Sequence, residues 1–296
     1  MAKRAAPRTV GKSKGEPKAR DLMTKKPVVA TLPGTRTDVL RLLVKHRLTG
    51  VPVVRRDGSL AGFVARAHIF AKPDEEQLAM VMARDHPAIE DDATMTECAT
   101  VLVEMNVYYL PVVQGGKLVG IITPSDLLKE IARQNIETPV ERLIRSPCVA
   151  MHASTPINVA SEIMRHGRVT AAPILGDDGH LAGIVTDRDV FSLSRVNGRV
   201  AQRELGIAAD EDAWAWEGLR NVMRLYWEEK KIELPRTPVR DIMSKPVTVF
   251  RKTSASEAAR TMVKNDFGQL PVVDSQDRLV AMLYELDLLT VLMPRG

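Results

Sequence analysis

Four times along the chain a proline is followed by an apolar pair, a short polar turn and a second apolar run: VPVVRRDGSLAGFV, LPVVQGGKLVGII, APILGDDGHLAGIV and LPVVDSQDRLVAML. Two apolar runs rich in Val, Ile and Leu, separated by RDG, QGG, DDG or SQD, predict a hairpin, because Gly and Asp supply turn conformations at little cost. The anchoring prolines, Pro52, Pro111, Pro173 and Pro271, lie 59, 62 and 98 residues apart. The chain is therefore an internal tandem of one small unit, with an insertion in its last step.

Ahead of each hairpin the pattern repeats as well. An extended segment follows another proline, at Pro27-Val28-Val29, Pro87-Ala88-Ile89, Pro147-Cys148-Val149 and Pro246-Val247-Thr248-Val249. Proline at strand entry loses no ladder bond. A helix follows, with a threonine near its start and an alanine or leucine five residues on: Thr35 and Leu40, Thr94 and Ala99, Thr155 and Ala160, Thr253 and Ala258. Each hydroxyl is expected to satisfy an N–H of the first turn. The helix stripes (Val39, Leu42, Leu43; Val101, Leu102, Met105; Val159, Ile163, Met164; Ala258, Thr261, Met262) predict packing into a core. A second helix closes the unit, as from Ser125 to Arg133 and from Arg188 to Ser194. The order per unit is strand, helix, strand, strand, helix, an α+β fold, and 296 residues suit two modules of two units each.

Chemistry concentrates where the last strand meets the second helix. Two units read Gly120-Ile121-Ile122-Thr123-Pro124-Ser125-Asp126 and Gly183-Ile184-Val185-Thr186-Asp187-Arg188-Asp189. The glycine permits close backbone approach, and the aspartate at a helix head can accept bonds from both hydroxyls of a ribose. The threonine and the helix N-terminus can donate to a phosphate. A single copy would read equally well as a helix cap. Recurrence at one position of the repeat favours a ligand role.

This combination of spacings resembles the CBS domain, which pairs in tandem to form a Bateman module, and the resemblance covers residues 20 to 294 apart from the insertion. Four consecutive repeats are also similar to the gamma subunit of the AMP-activated protein kinase and its stand-alone archaeal relatives. The implied organisation is a basic tail (1–19), repeat one (20–78), repeat two (79–136), repeat three (137–195), a Trp-rich helical insertion (196–236) and repeat four (237–296). The family implies paired repeats about a pseudo-twofold axis, with clefts between them that bind adenosyl ligands. The Thr-x-x-Asp motif of one repeat holds ribose and phosphate, and its partner supplies the adenine wall.

Carried onto this chain, the resemblance implies unequal clefts. Thr123 and Asp126 would face Thr35, Leu40, Thr49 and Gly50; Thr186 and Asp189 would face Thr253, Ala258, Gly268 and Gln269. Both look open. Repeat four keeps Asp287 but has Tyr284 for threonine, opposite Thr155, Ala160, Thr170 and Ala171, which makes a third candidate cleft. Repeat one has Ala65 and His68 opposite Tyr108 and Tyr109, a cleft expected to be empty or plugged. Thr49, Tyr108, Thr170 and Gly268 stand where kinase gamma subunits often place Arg or His against phosphates, with Lys26 and Arg188 able to compensate in part. Without those cations a triphosphate is gripped less well, so AMP, ADP, S-adenosylmethionine and methylthioadenosine compete with ATP as the regulatory ligand.

Composition refines the picture. Residues 1 to 20 hold seven Lys and Arg against Glu16, so the tail carries +6 of a net +5 and the remainder is −1. Such a tail cannot bury enough surface to fold alone, and weak, salt-sensitive nucleic-acid contact through residues 1–20 is the alternative function. The insertion holds all three tryptophans, Trp214, Trp216 and Trp227, on a helix expected either to cover its own module or to form a dimer or partner interface. A homodimer and an unidentified regulated protein are the expected macromolecular partners. The strings Ala6–Ser13 (APRTVGKS) and Gly11–Gly15 (GKSKG) match loose nucleotide-loop and serine-elbow patterns, but neither has the strand and helix those sites need. The six histidines show no metal spacing, and no catalytic set recurs between repeats, so a non-enzymatic sensor is expected. Cys98 and Cys148 read as small core hydrophobes. No apolar stretch reaches the roughly 18 residues of a membrane span, no secretory signal is visible, and a cytoplasmic address is expected.

Overall fold

The computed structural model describes residues 15–46, 48–65, 68–69, 72, 75–186, 189–190 and 234–294. In chain order, α1 (Ala19–Leu22) and β1 (Thr24–Lys25) lead into repeat one, formed by β2 (Ala30–Thr31), α2 (Arg36–Lys45), β3 (Gly50–Val54) and β4 (Leu60–Ala65). After α3 (Leu78–Val81), repeat two comprises β5 (Ile89–Glu90), α4 (Met95–Glu104), β6 (Leu110–Gln114), β7 (Lys117–Ile122) and α5 (Pro124–Arg133). Repeat three has β8 (Met151–His152), α6 (Ile157–Gly167), β9 (Ala171–Leu175) and β10 (Leu181–Thr186). Repeat four has β11 (Val249–Phe250), α7 (Ala255–Asn265), β12 (Gln269–Val273), β13 (Leu279–Tyr284) and α8 (Glu285–Leu289). The α+β class and the element order follow the hydrophobic pattern.

In every repeat the proline-bearing strand is central, with the lead strand parallel on one side and the last strand antiparallel on the other. The lead strand begins pairing one residue past the proline: Ala30 with Val53, Ile89 with Val112, Met151 with Ile174 and Val249 with Val272. The missing proline N–H therefore costs no bond in the parallel ladder. Gly58 and Gly179 turn two of the hairpins at φ 83° and 76°. Repeat four has no turn glycine, and Asp277 takes the left-handed conformation instead at φ 56°.

Several local expectations are corrected. The lead strands are only two residues long and begin two to four residues beyond their prolines, so Cys148 precedes its strand and is exposed. Cys98 is buried as expected, and burial pushes its thiol up to about 12. Met105 is the exposed C-cap of α4, and Val159 points outward, because the buried face of α6 runs through Ile157, Ala160 and Met164. Thr35 and Thr94 do accept from the N–H groups of Asp38 and Glu97. Repeat four instead caps with Ser254, whose hydroxyl accepts from Glu257 N–H, and in repeat three Pro156 follows Thr155 as a cap without a side-chain bond. The tail through residue 14, the Trp-rich run and most of the second helix of repeat three, Arg188 included, lie outside the described residues.

The repeats are not self-contained, because each lead-in crosses to its partner. Ahead of repeat one, β1 pairs with β7 of repeat two (Thr24 with Ile121, Lys25 with Gly120), and Ala83, ahead of repeat two, pairs with Phe63 of repeat one. Ser244, ahead of repeat four, pairs with Ile184 of repeat three. The same segments satisfy helix starts reciprocally. Met95 N–H donates to Pro17 O and Arg36 N–H to Glu76 O; Ile157 N–H donates to Thr237 O and Ala255 N–H to Thr138 O. Repeats one and two, and three and four, are thereby locked as pairs.

Between the pairs, repeats two and four share one apolar core. Leu127, Leu128 and Ile131 of α5 pack with Ala258, Ala259 and Met262 of α7 and with Leu286, Leu288 and Leu289 of α8. Each fully buried Leu or Ile there contributes about 1.5–3 kcal/mol. Ser256 sits in this contact, donating to Ile131 O at 2.8 Å and accepting from Ile136 N–H at 2.9 Å, so its hydroxyl is bonded both as donor and as acceptor. Repeats one and three keep separate cores. Among the described residues no helix is long and apolar enough to cross a membrane.

Candidate functional site

The ends of β7 and β10 are built alike. Thr123 donates to Asp126 Oδ2 through its N–H at 3.0 Å and its hydroxyl at 2.9 Å, while Lys129 Nζ lies 3.1 Å from Oδ1. Thr186 repeats the pair, with its N–H and hydroxyl 2.8 and 2.7 Å from Asp189 Oδ2. One carboxylate oxygen is thus fixed by its own threonine. The Asp126 side chain is 12% exposed and its lysine 52% exposed, a pairing weak enough to be exchanged for a ligand hydroxyl.

The expected close approach at the glycines occurs, but the approaching group is a side chain. A Cβ built on Gly120 would stand 2.3 Å from Met23 Sδ, and one on Gly183 would stand 2.5 Å from Met243 Sδ. Both methionines come from the crossed lead-ins. Sequence reasoning missed them, although Asp-Leu-Met-Thr at 21–24 and Asp-Ile-Met-Ser at 241–244 recur at matching places.

The outer repeats close the same corner differently. In repeat one Ala65 N–H donates to His68 Nδ1 at 3.1 Å, an imidazole in the place of a carboxylate. Burial first, then Lys72, holds His68 below its ordinary value, so the ring is a neutral acceptor. Beside it Phe63 stacks on His86 at 4.3 Å and on Tyr109 at 5.4 Å, and the Tyr109 hydroxyl bonds to that of Thr49. Gly50 lies against the Phe63 ring, where a Cβ would be 2.6 Å from a ring carbon. Thr49 and Gly50 are therefore in contact with aromatic side chains.

In repeat four Tyr284 N–H donates to Asp287 Oδ2 at 3.0 Å, while Oδ1 accepts from Arg145 N–H at 3.2 Å and from the Ser146 hydroxyl at 3.0 Å. Asp287 is 3% exposed. Burial raises its carboxyl, and those three bonds work against the rise. The Tyr284 hydroxyl is buried without a partner among the described residues and is pushed up to about 12, chiefly by burial. Its neighbour Glu285 donates its N–H to Gly268 O at 3.0 Å, and burial, then Asp266, push its carboxyl up to about 7.

Of the predicted wall residues, Leu40, Ala160, Ala171 and Ala258 are buried in the protein core. The Thr35 hydroxyl donates to Asp38 at 2.6 Å, and that of Thr253 accepts from Phe250 N–H at 3.0 Å. Thr155, Gly268 and Gln269 are half-buried, and Thr170 is exposed.

Four strand-helix-strand-strand units with crossed lead-ins are matched, one by one, by the CBS domain over residues 19–74, 78–133, 140–195 and 239–294. The chain belongs to the CBS-domain family. An uncharacterized protein of Methanocaldococcus jannaschii, MJ1404, is 24% identical over 277 residues, 91% of this chain. The chain spans 60% of that relative's length. Two solved structures share the fold over 93% of this chain and 99% of their own. One, a conserved uncharacterized protein of Pyrococcus horikoshii, has a TM-score of 0.67 at 23% identity. The other, MJ1225 of M. jannaschii, a proposed archaeal homolog of g-AMPK, has a TM-score of 0.64 at 17% identity.

Proposed function

We propose that this four-repeat CBS protein is a non-catalytic sensor that binds an adenosyl ligand in two clefts, one centred on Thr123 and Asp126 and one on Thr186 and Asp189. The observation that carries the reading is the shared build of these two corners, in which a threonine fixes one carboxylate oxygen beside a glycine covered by a methionine of the partner's lead-in. A carboxylate oriented in this way accepts the hydroxyls of a ribose. The Asp287 carboxylate is consumed by Arg145 and Ser146, so the third candidate cleft is not part of the proposal. Asp126 heads α5, which packs on α7 of repeat four, so a ligand at Asp126 acts on the contact between the two pairs. It shifts that contact only through different affinities for its two packings.

The test is calorimetry on ligand-free protein with AMP, ADP, ATP, S-adenosylmethionine and methylthioadenosine. Two saturable events are expected, one abolished by Asp126→Ala and the other by Asp189→Ala. Absence of micromolar binding by all five would overturn the reading.

A further inference from the structure

Glu285 opens α8, one residue past the strand-end Tyr284. Its backbone bond to Gly268 O brings the side chain over that glycine, so that a Cβ built on Gly268 would stand 3.8 Å from the carboxyl carbon and from Oε1. The carboxyl is half-buried, and among the described residues it has no hydrogen bond and no ion pair. Among the described residues its surroundings offer no cation. Asp266 approaches from the turn before β12 and Tyr108 from repeat two.

An unpaired carboxylate in a place of restricted solvent repels phosphate and attracts positive charge, and the surrounding groups add only acidic or neutral neighbours. Gly268 is the wall residue assigned above to the Thr186 and Asp189 cleft, and the inference rests on that reading. We infer that Glu285 sets the charge specificity of this cleft, favouring an adenosyl ligand with a cationic substituent at the 5′ carbon, such as a sulfonium, over one bearing phosphate there.

The titration of Glu285 gives the inference a signature. With the carboxyl pushed up to about 7, a bound cation favours the ionised form, so cation affinity rises as pH passes upward through that value. A phosphate ligand loses affinity over the same range. Methylthioadenosine, uncharged at that position, responds to neither.

Full-length protein is titrated calorimetrically with S-adenosylmethionine, methylthioadenosine and AMP at pH 6 and pH 8, as wild type and as Glu285→Gln. In wild type the preference for S-adenosylmethionine over AMP grows about tenfold between the two pH values, the effect of one unit of coupling. Glu285→Gln flattens most of that growth and leaves methylthioadenosine unchanged. Equal preferences in wild type and variant at pH 8, with adenosyl binding intact, overturn this inference while leaving the sensor reading standing. Loss of all adenosyl binding in wild type overturns both. If the variant does not fold, the wild-type pH slope for S-adenosylmethionine decides, and a flat slope overturns the inference.

Discussion

The two middle repeats and the two outer ones close the same strand-to-helix corner with the same backbone bond. Residue N–H meets a side-chain acceptor three positions on at 3.0 Å in Thr123–Asp126 and 2.8 Å in Thr186–Asp189. The distances are 3.0 Å in Tyr284–Asp287 and 3.1 Å in Ala65–His68. That bond is a requirement of the fold, since it satisfies a half-buried strand-end donor and fixes the entry of the next helix. What differs is the surplus. Both middle repeats add a threonine hydroxyl, and in repeat two the second carboxylate oxygen meets the exposed Lys129, whereas repeat four spends that oxygen on the lead-in of repeat three and repeat one has an imidazole in place of the carboxylate. An aspartate retained at this position is thus evidence of folding first and of binding only when its second oxygen is available.

Substitutions can break this distinction. Asp287→Ala leaves the Arg145 and Tyr284 N–H groups and the Ser146 hydroxyl without their acceptor, and is expected to cost about 3 kcal/mol in denaturant unfolding while sparing both ligand-binding events. Gly120→Ala and Gly183→Ala drive a Cβ into Met23 and Met243 and should each cost about 1–3 kcal/mol. Gly268→Ala, whose nearest atom would be 3.8 Å away, should stay within about 0.5 kcal/mol of wild type by thermal unfolding. Asp126→Ala is expected to cost only about 1 kcal/mol, the loss of a cap, while abolishing one ligand event. A larger stability loss at Asp126 than at Asp287 would reverse the assignment of roles.

The smallest effect concerns His68. Its folded value is depressed below the ordinary 6.5, so the unfolded chain binds more protons, and the stability it contributes is present above that value and lost as pH falls through it. His68→Asn keeps an acceptor and removes the titration. Unfolding followed from pH 7 to pH 5 should show a shallower acid loss in the variant; an unchanged slope would assign the acid sensitivity to His86 or elsewhere.

Much of this was legible in one dimension. The prolines, alternating apolar pairs and turn residues specify an antiparallel hairpin in each of the four repeats, because these signals act within a few residues of one another. The helix stripes were legible only approximately. Val159 and Ile157 are both apolar and two positions apart, and which one faces inward depends on where the helix starts. Cys148 was misplaced for a related reason, since a proline marks an extended segment but not the residue at which a partner strand begins.

The sequence alone determined the repeat, the α+β unit and the two Thr-x-x-Asp corners, since local propensity and short-range hydrogen bonds dictate them. Only the tertiary structure decided that Met23 and Met243 fill the space over Gly120 and Gly183, that Ser146 claims Asp287, that repeats two and four share a core, and that Glu285 stands over Gly268 with no hydrogen bond or ion pair among the described residues. Apart from Glu285 and Gly268, which meet across one hairpin, these contacts join segments far apart in the chain. Their energies come from burial and desolvation, which depend on what else occupies the same volume.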